Sequence, residues 1–268
     1  MPSATSNARD YNRSLAAPVR WAHVAVAVVR DTVSPITDWA FDTSRWWWAG
    51  VSLAAIVAAI IVFPFDALAL EGAAVVLGNL GGDIRRELES VQQYGALGSL
   101  VLVSIVIYLQ DPLRRNRLLD LFAAVVVGVL FVSVLKMIIG RPRPRMDQYG
   151  SSDFLGPFGQ HPYPGEGMFH SWEIWGPISS DLHSMPSSHT AIAVVLSVFV
   201  AKTYPRLRGL AMAMVAIVGL CRVLFGAHYP SDVVIGAATG FVVGYPAVTN
   251  RWGQRAADRV FGGRSKPA

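Results

Sequence analysis

Three short polar segments stand at the ends of long apolar runs in this sequence, and one of them contains an Arg, a His and an Asp. In this segment His228 and Asp232 stand four residues apart on either side of Pro230. A carboxylate at this spacing can accept a hydrogen bond from one imidazole nitrogen and leave the other nitrogen free to attack an electrophile. Arg222 is close enough in sequence to face an anion bound beside His228. The segment therefore predicts an oriented His nucleophile, with one half of a metal site as the alternative.

A second polar segment follows the apolar run at residues 118–139. Lys136 stands about one helical turn before the end of that run, and Arg143 leads into Pro144. A Lys ammonium together with an Arg guanidinium suits a tetrahedral oxyanion such as phosphate. The neighbouring prolines restrict the backbone that carries Arg143, which favours a phosphate site. The alternative is that both side chains extend along apolar surface to reach lipid headgroups.

The third polar segment, Pro186-Ser187-Ser188-His189, directly precedes another apolar run. Serines in this position predict a helix N-terminus, whose free backbone N–H groups form an anion site. His189, in the first turn, could donate a proton to a group bound there. An ordinary capped helix with an adjacent His is an equally good interpretation of this segment alone. The second and third segments supply no convincing set of further His or carboxylate ligands, so the sequence favours a site that needs no metal ion and no cofactor.

The apolar runs between these segments are long enough to cross a membrane. Apolar residues make up 53% of the 268 residues, and charged residues make up 15% against about 25% in soluble domains. A membrane-spanning helix needs roughly 20 mostly apolar residues. The sequence therefore predicts an all-α, integral membrane bundle of six transmembrane helices. The predicted spans are residues 46–65, 94–110, 118–139, 189–204, 207–225 and 233–249.

Basic residues indicate how the bundle is oriented. Lys and Arg are concentrated after the second, fourth and sixth spans, as the positive-inside rule expects of cytoplasmic ends, although Arg85 and Arg86 fall on the other side. The three polar segments then lie on the periplasmic or extracytoplasmic side of the cell (inner) membrane. The net charge of +5 does not indicate nucleic-acid binding, because the basic residues stand at span ends rather than in one patch. The predicted domains are a cytoplasmic N-terminal segment at 1–45 with an interfacial helix at 21–29, a six-span domain at 46–249, and a basic cytoplasmic tail at 250–268.

Two longer connections are predicted on the outer side. Residues 66–93 include an apolar stretch at 67–77 that predicts a helix along the membrane surface. Residues 140–188 form a loop rich in Gly, Pro and His, and a long irregular connection of this kind is usually functional. In the last span, Gly236, Gly240 and Gly244 predict close helix packing inside the bundle, with a dimer interface as the alternative. The oligomeric state stays open.

Together, the three segments resemble the three-part signature of the type 2 phosphatidic acid phosphatase superfamily. The motifs are Lys136-x6-Arg143-Pro144, Pro186-Ser187-Ser188-His189 and Arg222-x5-His228-x3-Asp232, and the similar region covers about residues 136–244. The resemblance implies that His228 attacks phosphorus, that Asp232 orients it and that His189 protonates the leaving oxygen. The groups that it implies for binding the phosphate are Lys136, Arg143, Arg222 and the backbone near Ser187 and Ser188. Two positions depart from the family pattern, since Ser188 replaces a usual Gly and Cys221 a usual Ser.

The resemblance implies an integral membrane phosphatase that removes phosphate from a lipid phosphate or diphosphate through a phosphohistidine intermediate, without metal. Its expected partners are the lipid phosphate substrate and the surrounding membrane lipids. A lipid-to-lipid phosphotransferase is the closest alternative, because the same intermediate could pass its phosphoryl group to a lipid. A non-catalytic transporter or scaffold is less favoured, since every charged motif position is present. The related vanadium haloperoxidases are soluble, which the six predicted spans argue against.

Overall fold

The computed structural model describes residues 46–145, 154–163, 167–173, 175 and 180–261. The predicted N-terminal segment at 1–45, with its interfacial helix, lies outside the described residues, as do residues 262–268. The described helices are α1 (Trp47–Val62), α2 (Asp66–Asn79), α3 (Gly82–Val91), α4 (Leu97–Gln110), α5 (Arg117–Ile139), α6 (Ser188–Thr203), α7 (Arg208–Leu224), α8 (Pro230–Thr249) and α9 (Trp252–Phe261).

Several of these helices have the length and composition of membrane spans. Four pass this test by themselves, and a fifth is reached if the pair formed by α3 and α4, which is bent by 69°, counts as one span. The four are Ala49–Asn79, Arg117–Ile139, Pro205–Leu224 and Pro230–Thr249. Large apolar side chains such as Ile60, Leu102, Phe122 and Leu220 are exposed on different helices, as expected of a surface that faces lipid. The chain is thus a mostly helical membrane protein with four to five clear candidate spans in its described part, and the predicted number of six is not confirmed.

Helix α6 occupies the middle of the bundle. It packs against α5, α7 and α8, and α8 also packs against α1 and α5. Glycines on α8 allow a very close approach to α6: a Cβ at Gly240 would lie 2.4 Å from the carbonyl oxygen of Ala191, and one at Gly236 would lie 2.6 Å from that of Ser187. The prediction that these glycines serve packing within the bundle is confirmed.

Two elements differ from the sequence-based expectation. Helix α2 follows α1 through a single 3-10 turn, so that one apolar helical segment continues to Asn79 instead of ending near residue 65. The long loop contains an antiparallel hairpin, β1 (Gln160–Tyr163) and β2 (Gly167–His170), so the all-α prediction was incomplete. Strands of four residues are too short to produce a recognisable alternating pattern in a loop rich in Gly and Pro.

Candidate active site

Four helix ends meet where the polar segments were predicted to converge. Helix α5 ends at Ile139, and Gly140 is its C-cap. The φ of 56° at this position suits a glycine, and the Gly140 amide donates to the carbonyl of Lys136. The chain then runs beside residues 181–184, with Arg143 N donating to Asp181 O at 2.7 Å and Ser184 N to Arg141 O at 2.9 Å. These two backbone bonds hold the loop against the end of α5.

The starts of α6 and α8 are held together by a backbone hydrogen bond. Ser187 is the N-cap of α6, and its side-chain oxygen accepts hydrogen bonds from the amide and hydroxyl of Thr190. The amide of Ser187 donates to the carbonyl of Asp232 at 3.0 Å. Helix α8 begins at Pro230, and the Asp232 carboxylate accepts from the Tyr229 amide at 2.9 Å. The helix N-terminus predicted at the third segment is confirmed.

His228 and Asp232 form the buried pair that the sequence suggested. His228 Nδ1 lies 3.6 Å from Asp232 Oδ2, slightly beyond hydrogen-bond length, and both side chains are almost fully buried. Burial lowers the pKa of His228 to about 3; the carboxylate of Asp232 opposes this, while Arg143 and Lys136 add to it. The imidazole is therefore neutral at neutral pH, which is the state that a nucleophile requires. Ser184 also donates to Asp232 Oδ2, at 2.5 Å.

Arg141 holds the other oxygen of Asp232 in a buried charge network. Its guanidinium donates to Asp232 Oδ1 at 2.6 Å, to Ser231 Oγ at 2.7 Å and to Asp66 Oδ2 at 2.8 Å. Asp66, from α2, also accepts from the amide and hydroxyl of Ser231. The guanidinium lies over the ring of Tyr229, with its carbon 3.9 Å from the ring centroid. Arg141 thus bridges two buried carboxylates and fixes where Asp232 points.

Three cations face the site without a carboxylate partner. Lys136 Nζ donates to the His183 carbonyl at 2.7 Å, Arg143 Nε to the Ser180 carbonyl at 2.7 Å, and Arg222 Nη1 to Gln92 Oε1 at 3.1 Å. Within the described ranges, none of the three forms a salt bridge. Burial lowers the pKa of Arg143, and the charge of Arg145 adds to that effect. The carboxylates of Asp181 and Asp232 interact electrostatically with Arg143 at longer range, and cations without a direct ion pair favour binding of an anion.

The remaining predicted residues take different positions. His189, in the first turn of α6, is half-buried and interacts electrostatically with Arg222, Arg143 and Lys136. Ser188 lines an apolar cavity of about 130 Å³ between helices, and Cys221 is buried on α7. The structure therefore brings together the charged residues of all three motifs. In the part of the chain that the structure describes, no group of three or more His, Cys, Asp or Glu side chains is placed to hold a metal ion.

Two supporting residues were missed by the sequence analysis. Asp66 is an ionisable residue inside a long apolar helix, and this alone is a signal of a functional or paired group. Gln92 follows α3 and is buried against Arg222, and no motif marks it. Both contacts join residues far apart in sequence, which explains why local patterns do not reveal them.

Two solved structures resemble this chain, and the first of them supports its fold. A phosphatase from Bacillus subtilis, described as the first transmembrane PAP2 type phosphatidylglycerolphosphate phosphatase, superposes with a TM-score of 0.52 at 19% identity. The match covers 77% of this chain and 96% of that one. Aquifex aeolicus LpxE gives a TM-score of 0.48 at 18% identity, over 67% of this chain and 94% of the other.

Two relatives and one family model are similar to this chain in sequence. The chain is 34% identical over 121 residues to a lipid A 1-phosphatase of Rhizobium etli, covering 45% of this chain and 44% of that protein. It is 35% identical over 121 residues to a lipid A 1-phosphatase of Rhizobium johnstonii, covering 45% and 42%. The matched region therefore spans less than half the length of either relative. The model of the PAP2 superfamily matches residues 117–256, which include all three motifs and more than half of the sequence. The resemblance seen in the motifs is thereby confirmed, and the chain belongs to the PAP2 superfamily.

Proposed function

We propose that this protein is an integral membrane phosphatase that removes phosphate from a lipid phosphate or diphosphate through a phosphohistidine intermediate. The observation that carries the proposal is the arrangement of three cations without acidic partners around His228, which is neutral and held beside Asp232. An anion-binding group of cations next to a neutral nucleophile is what phosphoryl transfer requires.

In the proposed reaction, the free ring nitrogen of His228 attacks phosphorus. The P–N bond forms as the P–O bond to the leaving group breaks, and His189 donates a proton to the leaving oxygen. Water then attacks the phosphohistidine, and His189 accepts a proton from it, which releases inorganic phosphate and restores His228. Asp232 orients the imidazole throughout. The positive groups that stabilise the charge on the phosphoryl oxygens are Lys136, Arg143, Arg222 and the backbone N–H groups of the α6 N-terminus near Ser187 and Ser188.

The proposed topology has six spans. Counting the bent pair of α3 and α4 as one span and the 16-residue α6 as another adds two to the four clear candidates. The six-span domain then covers residues 46–249, as the sequence predicted. The basic loops favour an orientation in the inner membrane with the site on the extracytoplasmic side. The lipid A 1-phosphatases among the relatives favour a phosphorylated lipid as the substrate.

Purified protein should release phosphate from a panel of lipid phosphates with water as the sole acceptor and with excess EDTA present. His228→Ala should abolish this activity, while His170→Ala, which alters a His of the hairpin, should leave it intact. A phosphorus-labelled substrate should label the wild type rapidly in an acid-labile form and should not label His228→Ala. Full turnover without His228, or activity that is lost in EDTA and restored by added metal, would defeat the mechanism.

A further inference from the structure

A second groove lies in the half of the bundle away from the candidate site. It is formed by α6, α7 and α8 and encloses about 500 Å³. Its apolar walls include Val194, Val198, Met212, Val215 and Phe241. This volume is within the roughly 300–1,000 Å³ that is usual for ligand pockets. Two of these helices, α7 and α8, are apolar and long enough to cross a membrane, and α6 is a shorter apolar helix, so the groove is expected to face lipid.

One end of this groove is basic. It is lined by Lys202, Arg208 and Tyr245. Lys202 Nζ donates to the Tyr245 hydroxyl at 3.3 Å and lies 4.3 Å from the centroid of its ring, so Tyr245 positions the ammonium group. Lys202 stands 13 residues beyond His189 on α6, which places it about 20 Å from the candidate site.

The charges of Lys202 and Arg208 differ from those of Arg114 and Arg117 at the same end of the bundle. Arg114 pairs with Asp111 at 2.5 Å, and Arg117 pairs with Asp120 at 2.8 Å. Among the residues that the structure describes, Lys202 and Arg208 form no salt bridge, and both are exposed. Two unneutralised cations at the end of an apolar groove are complementary to a ligand with an anionic head and an apolar tail.

Aromatic side chains surround this end of the groove. The ring of Tyr245 packs edge-on against Trp47 at 5.1 Å between centroids, and Phe241 lies 5.3 Å from Tyr245. Aromatic residues of this kind are enriched at the level of lipid headgroups. We propose that the groove binds one anionic phospholipid of the leaflet opposite the candidate site. The phosphate of this lipid lies between Lys202 and Arg208, and one of its acyl chains lies along the apolar walls of the groove.

The test uses purified full-length protein and native mass spectrometry with dioleoyl phosphatidylglycerol and dioleoyl phosphatidylcholine, which share acyl chains and differ in charge. The wild type should retain one molecule of phosphatidylglycerol in preference to phosphatidylcholine. Lys202→Gln combined with Arg208→Gln should weaken retention about 30-fold, since each basic residue near a lipid phosphate contributes about 1 kcal/mol and about 1.4 kcal/mol corresponds to tenfold. Met212→Trp, which fills the groove and keeps both charges, should also reduce retention.

Arg206→Gln is the matched control, because Arg206 is exposed in the same turn region but does not line the groove. It should retain the lipid as the wild type does. Equal loss in this control would overturn the proposal in favour of general surface charge. Equal retention in the double variant, no preference for the anionic lipid in the wild type, or full competition by glycerophosphoglycerol, which lacks acyl chains, would also overturn it. Because the variants lie away from the candidate site, phosphate release should remain unchanged.

Discussion

Asp66→Asn tests whether the buried charge network around Arg141 stabilises the protein. The substitution keeps the size of the side chain but removes the negative charge that accepts from Arg141 and from the amide of Ser231. Losing one partner of a buried ion pair costs roughly 3–5 kcal/mol. Arg141 retains Asp232 at 2.6 Å, so we expect the lower end, about 3 kcal/mol. At roughly 2–4 °C per kcal/mol, the unfolding midpoint should fall by about 6–12 °C.

Intrinsic tryptophan fluorescence during heating in detergent measures this midpoint. Glu71→Gln is the matched control, since Glu71 is an exposed carboxylate on the same helix. It should unfold close to the wild type. Arg141→Met should be worse than Asp66→Asn, because it leaves two buried carboxylates without their cation. If Asp66→Asn and Glu71→Gln unfold at the same temperature, the network does not contribute the stability that its geometry suggests.

Three further predictions address pH, packing and the cations of the site. Because burial lowers the pKa of His228 from 6.5 to about 3, the folded protein binds fewer protons than the unfolded chain between these values. Its stability should therefore fall as the pH drops from about 6.5 to about 3, and the fall should be smaller in His228→Asn. If the unfolding midpoints of the wild type and of His228→Asn change in parallel with pH, this prediction is contradicted. Gly240→Ala should lower the unfolding midpoint, because its Cβ would lie 2.4 Å from a carbonyl of the facing helix, whereas Gly209→Ala meets nothing within 4 Å and should not. Gln92→Ala removes the acceptor that aims Arg222, so kcat/KM for lipid phosphate should drop about tenfold, the loss of about 1.5 kcal/mol expected for one hydrogen bond to a charged group; unchanged kinetics would show that Gln92 does not position Arg222.

The position of the candidate site could be predicted from the sequence because its charged residues stand at the ends of apolar helices. Lys136, Arg222 and His189 each lie within about one turn of a helix terminus, and the structure places these termini together. Runs of apolar residues fix where helices cross the membrane, and the positions of their polar ends follow. The identity and convergence of the motif residues could therefore be inferred before any coordinates.

Contacts between distant elements could not be inferred in this way. Arg141 stands two residues before Arg143, but its role as a bridge depends on Asp66, which belongs to a helix that was expected on the membrane surface. The continuation of the first apolar segment to Asn79 depends on a 3-10 turn that no local pattern distinguishes from a helix end. Such features depend on which side chains meet in three dimensions, and a single sequence does not encode that in its spacing.

The loop at residues 180–184 uses one donor of each of two cations at the candidate site. Lys136 and Arg143 each donate to a backbone carbonyl of this loop. An ammonium and a guanidinium each carry several N–H donors, so both groups keep further donors for an anion while the contact with the loop fixes their positions. Changes in this loop should therefore alter how the two cations are oriented, and with it the affinity for an anion, without a direct contact between the loop and that anion.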